Sequence, residues 1–466
     1  MKRNLLYIDL FCGAGGTSTG VERARLNGAK CAKVIACVNH DPNAIASHAA
    51  NHPHALHFTE DIRTLDLSEL GEHTTAERRK DPDALLVLWA SLECTNFSKA
   101  RGGQPRDADS RTLAEHLFQY IDALQPDYIY IENVEEFMCW GDLDKNGKPI
   151  SRDAGRLYMR WVSNVEKRGY HFAHRLLNAA DYGARTARTR FFGIFAKGQL
   201  PIAFPEPTHC KGGRSGDMFH QPLKPWQPVR DVLELNNEGE SIFTRKTPLC
   251  ERTLERIYAG LIKFVAGGKD AFISRYNSVK PKDTAMSLDE PAPVVRTVGH
   301  LALVTSRFFA NEYSGGGQLS DIESPSPAVT TVPKMKLVSV EQSQFLMNPQ
   351  FASKGGDINK PCFTLIARMD KMPPYLVTTE QGEPAIISCE DDSPAMHKIK
   401  EFMACYCIVD IKMRMLNIPE LKRIMGFGTD YVLKGTQTEQ KKYIGNAVEV
   451  NMSRVLCEAL AKELNQ

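Results

Sequence analysis

Cys94 has the strongest claim to covalent chemistry in this chain. It lies in LLVLWASLECTNFSKARGG, residues 85–103, where the apolar run Leu85-Leu86-Val87-Leu88-Trp89 reads as a strand buried on both faces. The strand breaks into a polar loop carrying Ser98, Lys99 and Arg101 behind the cysteine, and Gly102-Gly103 frees the backbone there. A thiol just beyond a buried parallel strand sits where open α/β sheets place their reacting groups, and its thiolate is a good nucleophile. A free cysteine is as readily a packed core residue, so the neighbours decide. Glu132 follows the strand Tyr128–Ile131 and can face the same pocket. A carboxyl there either caps a helix or, if burial raises its pKa, donates a proton. Arg188 and Arg190 flank Thr189 and share a face if a strand starts there. Leading into Phe191-Phe192, they point to guanidinium groups held near an anionic or polar ligand rather than a solvated face.

These groups need a scaffold, and the first fifty residues supply its form. Leu5–Leu10 reads as a strand, Phe11-Cys12-Gly13-Ala14-Gly15-Gly16 as the turn after it, and Thr17 or Ser18 as the cap of a helix to about Leu26. Strand, glycine turn and helix make a nucleotide-type site, but the spacing is not GxGxxG, so a dinucleotide is not favoured. Ala32–Val38 is a second strand ending at Asn39-His40-Asp41-Pro42, where folds of this form hold ribose hydroxyls. Asp41 caps the next helix, with Pro42 at its first position. Asp61-Ile62 closes a third short strand, and a helix is expected from Asp109 to Leu124. Further on, Asn417 and Glu420 fit a capping box. Val448, Met452, Val455, Leu456, Ala459 and Leu460 form an apolar stripe on the last helix, which must dock on the core of the first domain.

The 466 residues are enough for two or three domains, and the formal charge of +2 excludes an argument for nucleic acid from bulk charge. Any such surface is a local patch. The 12 cysteines form no CxxC pair and no His/Cys cluster at zinc spacing, so no metal is expected. No apolar run is long enough to span a bilayer, and Met1-Lys2-Arg3-Asn4 does not read as a leader. The expected location is the cytoplasm, with reduced thiols. Texture divides the chain into 1–200, a Pro- and Gly-rich stretch 201–404, and a helical return over 405–466. Within 272–377 a unit of about 35 residues recurs from Phe272, Phe308 and Phe345, reading as stacked β-hairpin units.

Six stretches, in order, resemble the DNA cytosine-C5 methyltransferases: Asp9-Leu10-Phe11-Cys12-Gly13-Ala14-Gly15-Gly16, Asp61-Ile62, Cys94 with Phe97 and Ser98, Glu132-Asn133-Val134, Arg188-Thr189-Arg190, and Gly445-Asn446-Ala447-Val448. The resemblance covers roughly 1–200 and 405–466. It implies an α/β fold: a Rossmann-like, mostly parallel catalytic domain that binds S-adenosyl-L-methionine, plus a β-rich target-recognition domain in the middle. It implies methyl transfer to C5 of a flipped-out cytosine in a specific sequence of double-stranded DNA. Cys94 would add to C6, Glu132 would hold N3, Arg188 would grip the base oxygen with Arg190 beside it, and Asn133 would position the loop. Glu93, Ser98, Lys99, Arg101 and Arg111 would meet the base or its phosphates. The cofactor would rest on Asp9, Phe11, Gly13, Gly15, Gly16, Asn39, His40, Asp61, Ile62, Asn446 and Ala447, with Phe11 stacked on the adenine. The implied partners are DNA and a cognate restriction endonuclease, with no membrane and a monomeric chain.

Four positions depart from the family pattern. Glu93-Cys94-Thr95 replaces Pro-Cys-Gln, Thr186 replaces the glutamine before Arg-x-Arg, and Asn39 replaces the ribose-holding glutamate. An ionised Glu93 close to the thiol disfavours the thiolate, or else addresses the exocyclic group of the base. The altered pocket therefore keeps open action on a modified or different pyrimidine, or on RNA, and a silent DNA-binding relative is the reading from another class.

Overall fold

Seven of the described strands in the first 200 residues build one sheet, with helices between most of them. In the computed structural model the described residues are 3–92, 113–141, 155–217, 221–237, 240–262, 272–275, 285–286, 301–304, 307–311, 318–320, 335–338, 344–347, 355–365, 374–381, 391–405 and 408–466. The strands are β1 (Leu5–Leu10), β2 (Ala32–Val38), β3 (Leu56–Phe58), β4 (Leu85–Ser91), β5 (Tyr128–Asn133), β6 (Tyr170–Asn178) and β7 (Thr189–Lys197). They form one sheet in the order β3-β2-β1-β4-β5-β7-β6. The links from β3 across to β5 are parallel, and β7 runs antiparallel to both neighbours. The order reverses between β1 and β4, which opens a crevice at the carboxyl ends of the strands. This is the expected Rossmann-like, mostly parallel α/β fold.

Period-two alternation sorts the core into two layers. Leu6, Ile8 and Leu10 of β1, Leu86 and Leu88 of β4, and Ile129 and Ile131 of β5 are buried in one cluster with Leu70, Tyr120, Ile121 and Trp161. Those four come from helices α3 (Ser68–Lys80), α4 (Leu117–Leu124) and α5 (Arg156–Glu166), which follow α1 (Gly16–Arg23) and α2 (Pro42–Asn51) in the chain. Each fully buried aliphatic or aromatic side chain of this kind contributes about 1.5–3 kcal/mol.

Local signals held at several ends and failed at others. Asp41 caps α2 through the amides of Asn43 and Ala44, at 3.0 and 3.2 Å, with Pro42 at the start. Helix α1 is capped by neither Thr17 nor Ser18: Gly15, at φ 97°, is its N-cap with no side-chain bond, and Ser18 turns inward to donate to Asp9 at 2.7 Å. Asp61-Ile62 lies beyond β3 rather than in it, and α4 starts at Leu117.

The chain forms two compact units. One is Met1–Leu233, Asn359–Lys371 and Asn417–Gln466, and the other is Glu234–Ile358 and Met372–Leu416. The first therefore runs past residue 200 and resumes at Asn417 rather than 405. Main-chain bonds bring in the middle piece: the Cys362 amide donates to the Arg185 carbonyl at 2.6 Å, and the Ala187 amide donates to the Cys362 carbonyl at 2.8 Å.

The second unit contains helices α6 (Glu251–Gly260) and α7 (Pro394–Cys405) and three antiparallel triplets, each with its first strand in the middle. They are β8 (Phe272–Arg275) between β9 (Ala285–Met286) and β10 (Leu301–Val304); β11 (Arg307–Asn311) between β12 (Gln318–Ser320) and β13 (Met335–Val338); and β14 (Gln344–Met347) between β15 (Gly356–Asp357) and β16 (Tyr375–Gln381). Phe272 pairs with Val304, and Phe345 pairs with Val377. The third triplet extends through β17 (Ile408–Met415), and its Phe345, Val377 and Ile411 pack with Ile257 of α6 and Ile399 of α7.

Three helices complete the first unit: α8 (Ile418–Ile424), α9 (Gln437–Asn446) and α10 (Val450–Leu464). Asn417 and Glu420 close the expected capping box on α8. Met452, Leu456 and Leu460 of α10 join Val21 of α1 against Leu5, Tyr7, Trp89 and Tyr130, the second side-chain layer of the sheet. A Cβ on Gly16 or Gly20 of α1 would collide with the carbonyl of Val448 or Val450, so only glycine admits the C-terminal segment this close. Asn465, just past α10, accepts from the Arg3 amide at 2.8 Å and donates to the Arg3 carbonyl at 3.2 Å.

Candidate active-site cleft

The crevice at the strand ends is a cleft of about 340 Å³ in the first unit. Phe11 and Gly13 reach it from the turn after β1, Thr17 from the start of α1, Asn39, His40 and Asp41 from the tip of β2, Ser91 and Leu92 from the end of β4, and Glu132 from β5. Arg188 and Arg190 come from the start of β7, and Tyr443, Asn446 and Ala447 from the end of α9. A neighbouring hollow of about 220 Å³ shares Phe11, Asn39 and His40 and adds Glu60, Asp61, Ile62 and Arg63.

Phe11 stands between the two spaces with φ at 59°, left-handed backbone that a bulky residue rarely adopts. Such strain persists only where the surroundings hold it, and functional sites are where it collects. Asn39 Oδ1 accepts from the Asp41 amide at 2.9 Å, so the amide group's further capacity is chiefly as a donor. Asp61 is gripped by Arg63 at 2.6 Å, and that hydrogen bond lowers its carboxyl to about 2. The Ile62 carbonyl accepts from Gln119 Nε2 at 2.6 Å and Tyr120 Oη at 3.0 Å.

Glu132 is 5% exposed, and burial holds its carboxyl above the usual carboxylate range against the pull of Arg190 and Arg188. Arg190 Nε lies 3.3 Å from Glu132 Oε1. Arg188 is 4% exposed, and its Nη1 donates to the carbonyls of Leu365 at 3.1 Å and Gly445 at 3.2 Å. It thus ties β7 to the end of α9 and to the segment brought in from the middle of the chain. Asn133 does not line the cleft. Its Nδ2 donates to the Leu92 carbonyl at 3.4 Å, and its Oδ1 accepts from the Val134 amide at 2.8 Å. Leu92 is the last described residue before the Cys94 loop, so Asn133 holds the stem of that loop.

Of the residues singled out from sequence, Phe11, Gly13, Asn39, His40, Glu132, Arg188, Arg190, Asn446 and Ala447 meet in the cleft, and Asp61 and Ile62 in the adjoining hollow. Asp9, Gly15 and Gly16 stand behind them. Asp9 is 1% exposed, and burial raises its carboxyl to about 8. Glu93, Cys94, Ser98, Lys99, Arg101 and Arg111 lie outside the described residues. Sequence reasoning passed over Ser91 and Tyr443. Ser91 hydrogen-bonds the Glu132 carboxyl and holds its pKa down, while Tyr443 Oη donates to Asp41 Oδ1 at 2.9 Å and so fastens α9 to the tip of β2. A serine ending an apolar strand was the available signal for the first; the second pairing had none.

The sequence model of the family described as C-5 cytosine-specific DNA methylase matches residues 5–299 and 303–462. Among curated proteins, the Type II methyltransferase M.AgeI of Thalassovita gelatinovora is 29% identical over 236 residues, 48% of this chain and 49% of the relative. The Type II methyltransferase M1.HphI of Haemophilus parahaemolyticus is 29% identical over 216 residues, 46% of this chain and 52% of the relative. The chain spans about half the length of the curated relatives it matches. Among solved structures, the S. pombe Dnmt2 methyltransferase aligns over 99% of this chain and 100% of its own, with 14% identity and a TM-score of 0.47. Among the described residues, no helix is long and apolar enough to cross a membrane.

Proposed function

The chain belongs to the C-5 cytosine-specific DNA methylase family, and we propose that it transfers a methyl group from S-adenosyl-L-methionine to C5 of a cytosine in double-stranded DNA. The observation that carries this reading is Glu132: a buried carboxyl, raised by burial, at the end of β5 beside Arg190 and in one cleft with Phe11 and Asn446. A carboxyl that stays protonated near neutral pH is what a pyrimidine N3 needs when its ring becomes electron-rich.

The cleft fits the cofactor. Phe11 offers an aromatic face held in place by its backbone, Asn39 and His40 offer polar groups at the second strand's tip, and the turn with Gly13 at φ 51° leaves backbone room. When bound, S-adenosyl-L-methionine supplies the methyl group and leaves as the neutral thioether. The protein's own residues prepare the acceptor. The Cys94 thiolate adds to C6 of a flipped-out cytosine, because C5 becomes nucleophilic only after C6 gains a covalent partner. Glu132 gives a hydrogen bond or proton to N3 as charge develops on the ring. Arg190, partly exposed in the cleft and paired with Glu132, suits the base carbonyl oxygen better than Arg188, whose Nη1 is committed to two main-chain carbonyls. Loss of the C5 proton and departure of Cys94 restore the aromatic ring. Ser98 and Arg111 hold phosphate beside the flipped nucleotide.

Nucleoside mass spectrometry of DNA from cells expressing the wild type or Cys94→Ala tests this. 5-Methylcytosine with the wild type alone is expected. A changed mass on another pyrimidine redirects the reading to the Glu93 pocket, and equal methylation with Cys94→Ala removes Cys94 as nucleophile.

A further inference from the structure

Where Cys12 lines the cleft, three buried side chains with metal-ligand chemistry converge from separate elements. Cys12 in the turn after β1, Cys37 on β2 and His48 on α2 each offer a ligand atom, and the three atoms lie within 4.8 Å of one another. Cys37 Sγ is 3.5 Å from His48 Nδ1, and that nitrogen is 3.0 Å from Nε2 of half-buried His57, the middle residue of β3. On the other side of the ring, His48 Nε2 is 2.9 Å from Ser18 Oγ, which donates to Asp9 at 2.7 Å. With the Ser18 hydrogen directed to Asp9, Ser18 can only accept from His48, so the imidazole proton sits on Nε2 and Nδ1 presents its lone pair to Cys37 and His57. An imidazole whose far nitrogen is tied through a hydroxyl to a buried carboxyl group has the kind of outer support that metal-bound histidines use.

We propose that Cys12, Cys37 and His48 hold a zinc ion that pins the turn after β1 to β2 and α2, with His57 of β3, whose Nε2 is 3.0 Å from His48 Nδ1, turning in as the fourth ligand. Two thiolates and two imidazoles are a closed tetrahedral set for this metal. Bond lengths of about 2.3 Å to sulfur and 2.0–2.1 Å to nitrogen set neighbouring sulfur and nitrogen ligands about 3.5 Å apart. Cys37 and His48 already stand at that spacing. Cys12 follows Phe11, and Cys37 stands two residues before Asn39, so the ion would lock two walls of the cleft together. The site stands on its own geometry, whether or not the chain methylates cytosine.

The test uses the full chain, stripped with a chelator under reducing conditions and then dialysed against zinc sulfate or titrated with cobalt(II). The wild type should retain about one zinc per chain and give a strong sulfur-to-cobalt absorption band in the near ultraviolet. Cys37→Ser should lose both, while Cys250→Ser, at an exposed thiol, should keep both. If circular dichroism shows Cys37→Ser unfolded, His57→Gln serves in its place, and its zinc affinity should fall by about tenfold or more. Zinc that dialyses away from the wild type, a cobalt spectrum lacking the thiolate band, or a band and affinity unchanged in the folded ligand variant overturns the proposal and leaves a metal-free hydrogen-bonded cluster.

Discussion

At the residue scale, the decisive group is a carboxyl whose surroundings were not legible in the sequence. Glu132 was marked by its position after a buried strand, and its neighbourhood of Ser91, Arg188 and Arg190 came only with the sheet. Because its acid form is the useful one, turnover should fall as pH rises through its raised pKa, while the Cys94 thiol limits the rate at low pH. Glu132→Gln should lower kcat by about 10²–10⁴-fold, leave the cofactor KM near its wild-type value, and erase the alkaline limb of the pH–rate profile. An alkaline limb that persists in this variant would assign the proton to another group. The Cys12, Cys37 and His48 grouping shows a different limit. No local spacing joins a turn, a strand and a helix, so the scan for zinc motifs passed over it, and only the parallel pairing of β1 with β2 brings the two thiols together.

At the scale of elements, strand and cap chemistry was the readable part. The bounds of β1 and β2, the Asp41 cap and the Asn417–Glu420 box follow from alternation and short-range hydrogen bonds, which tertiary packing did not override. The start of α1 was misjudged because Ser18 serves Asp9, a partner nine residues back, rather than its own helix. Helix α10 carries a testable device. Its N-cap, Glu449, is 2% exposed, accepts from the Met452 amide at 2.9 Å, and is raised by burial to about 7. A carboxyl raised in the folded state contributes stability below its unfolded pKa and loses that contribution as pH rises through the folded value. Wild-type stability should therefore decline between about pH 4.5 and 7 relative to Glu449→Gln, by on the order of 1–3 kcal/mol, as read by urea unfolding at a series of pH values. Parallel pH profiles for the two proteins would show that Glu449 is not the source. Gly16→Ala tests the contact beneath α10. Its added methyl meets the Val448 carbonyl and should cost about 1–3 kcal/mol in the same assay, a loss out of proportion to one helical alanine.

At the scale of the whole molecule, texture separated a β-rich middle from two α/β flanks, because Pro, Gly and short apolar runs mark hairpins wherever they fall. It could not show that 359–371 belongs with the flanks, since that assignment rests on main-chain bonds to Arg185 and Ala187. If the first two triplets of the second unit read DNA, exchanging 272–340 for the corresponding stretch of a relative with another target should move the methylated sequence and leave S-adenosyl-L-methionine affinity unchanged. Bisulfite sequencing and calorimetry measure the two separately, and an unmoved target would place recognition elsewhere. The mutual hydrogen bonds of Arg3 and Asn465 have a consequence for how the chain is made. During synthesis, the face of the sheet awaiting α10 stays bare until more than two hundred further residues have left the ribosome, so an exposed apolar layer must be tolerated or chaperoned for that interval. Because the strand entrance and the end of α10 are neighbours, a circular permutant that translates 417–466 ahead of residue 3 through a short linker would shorten that wait without altering the order of strands in the sheet.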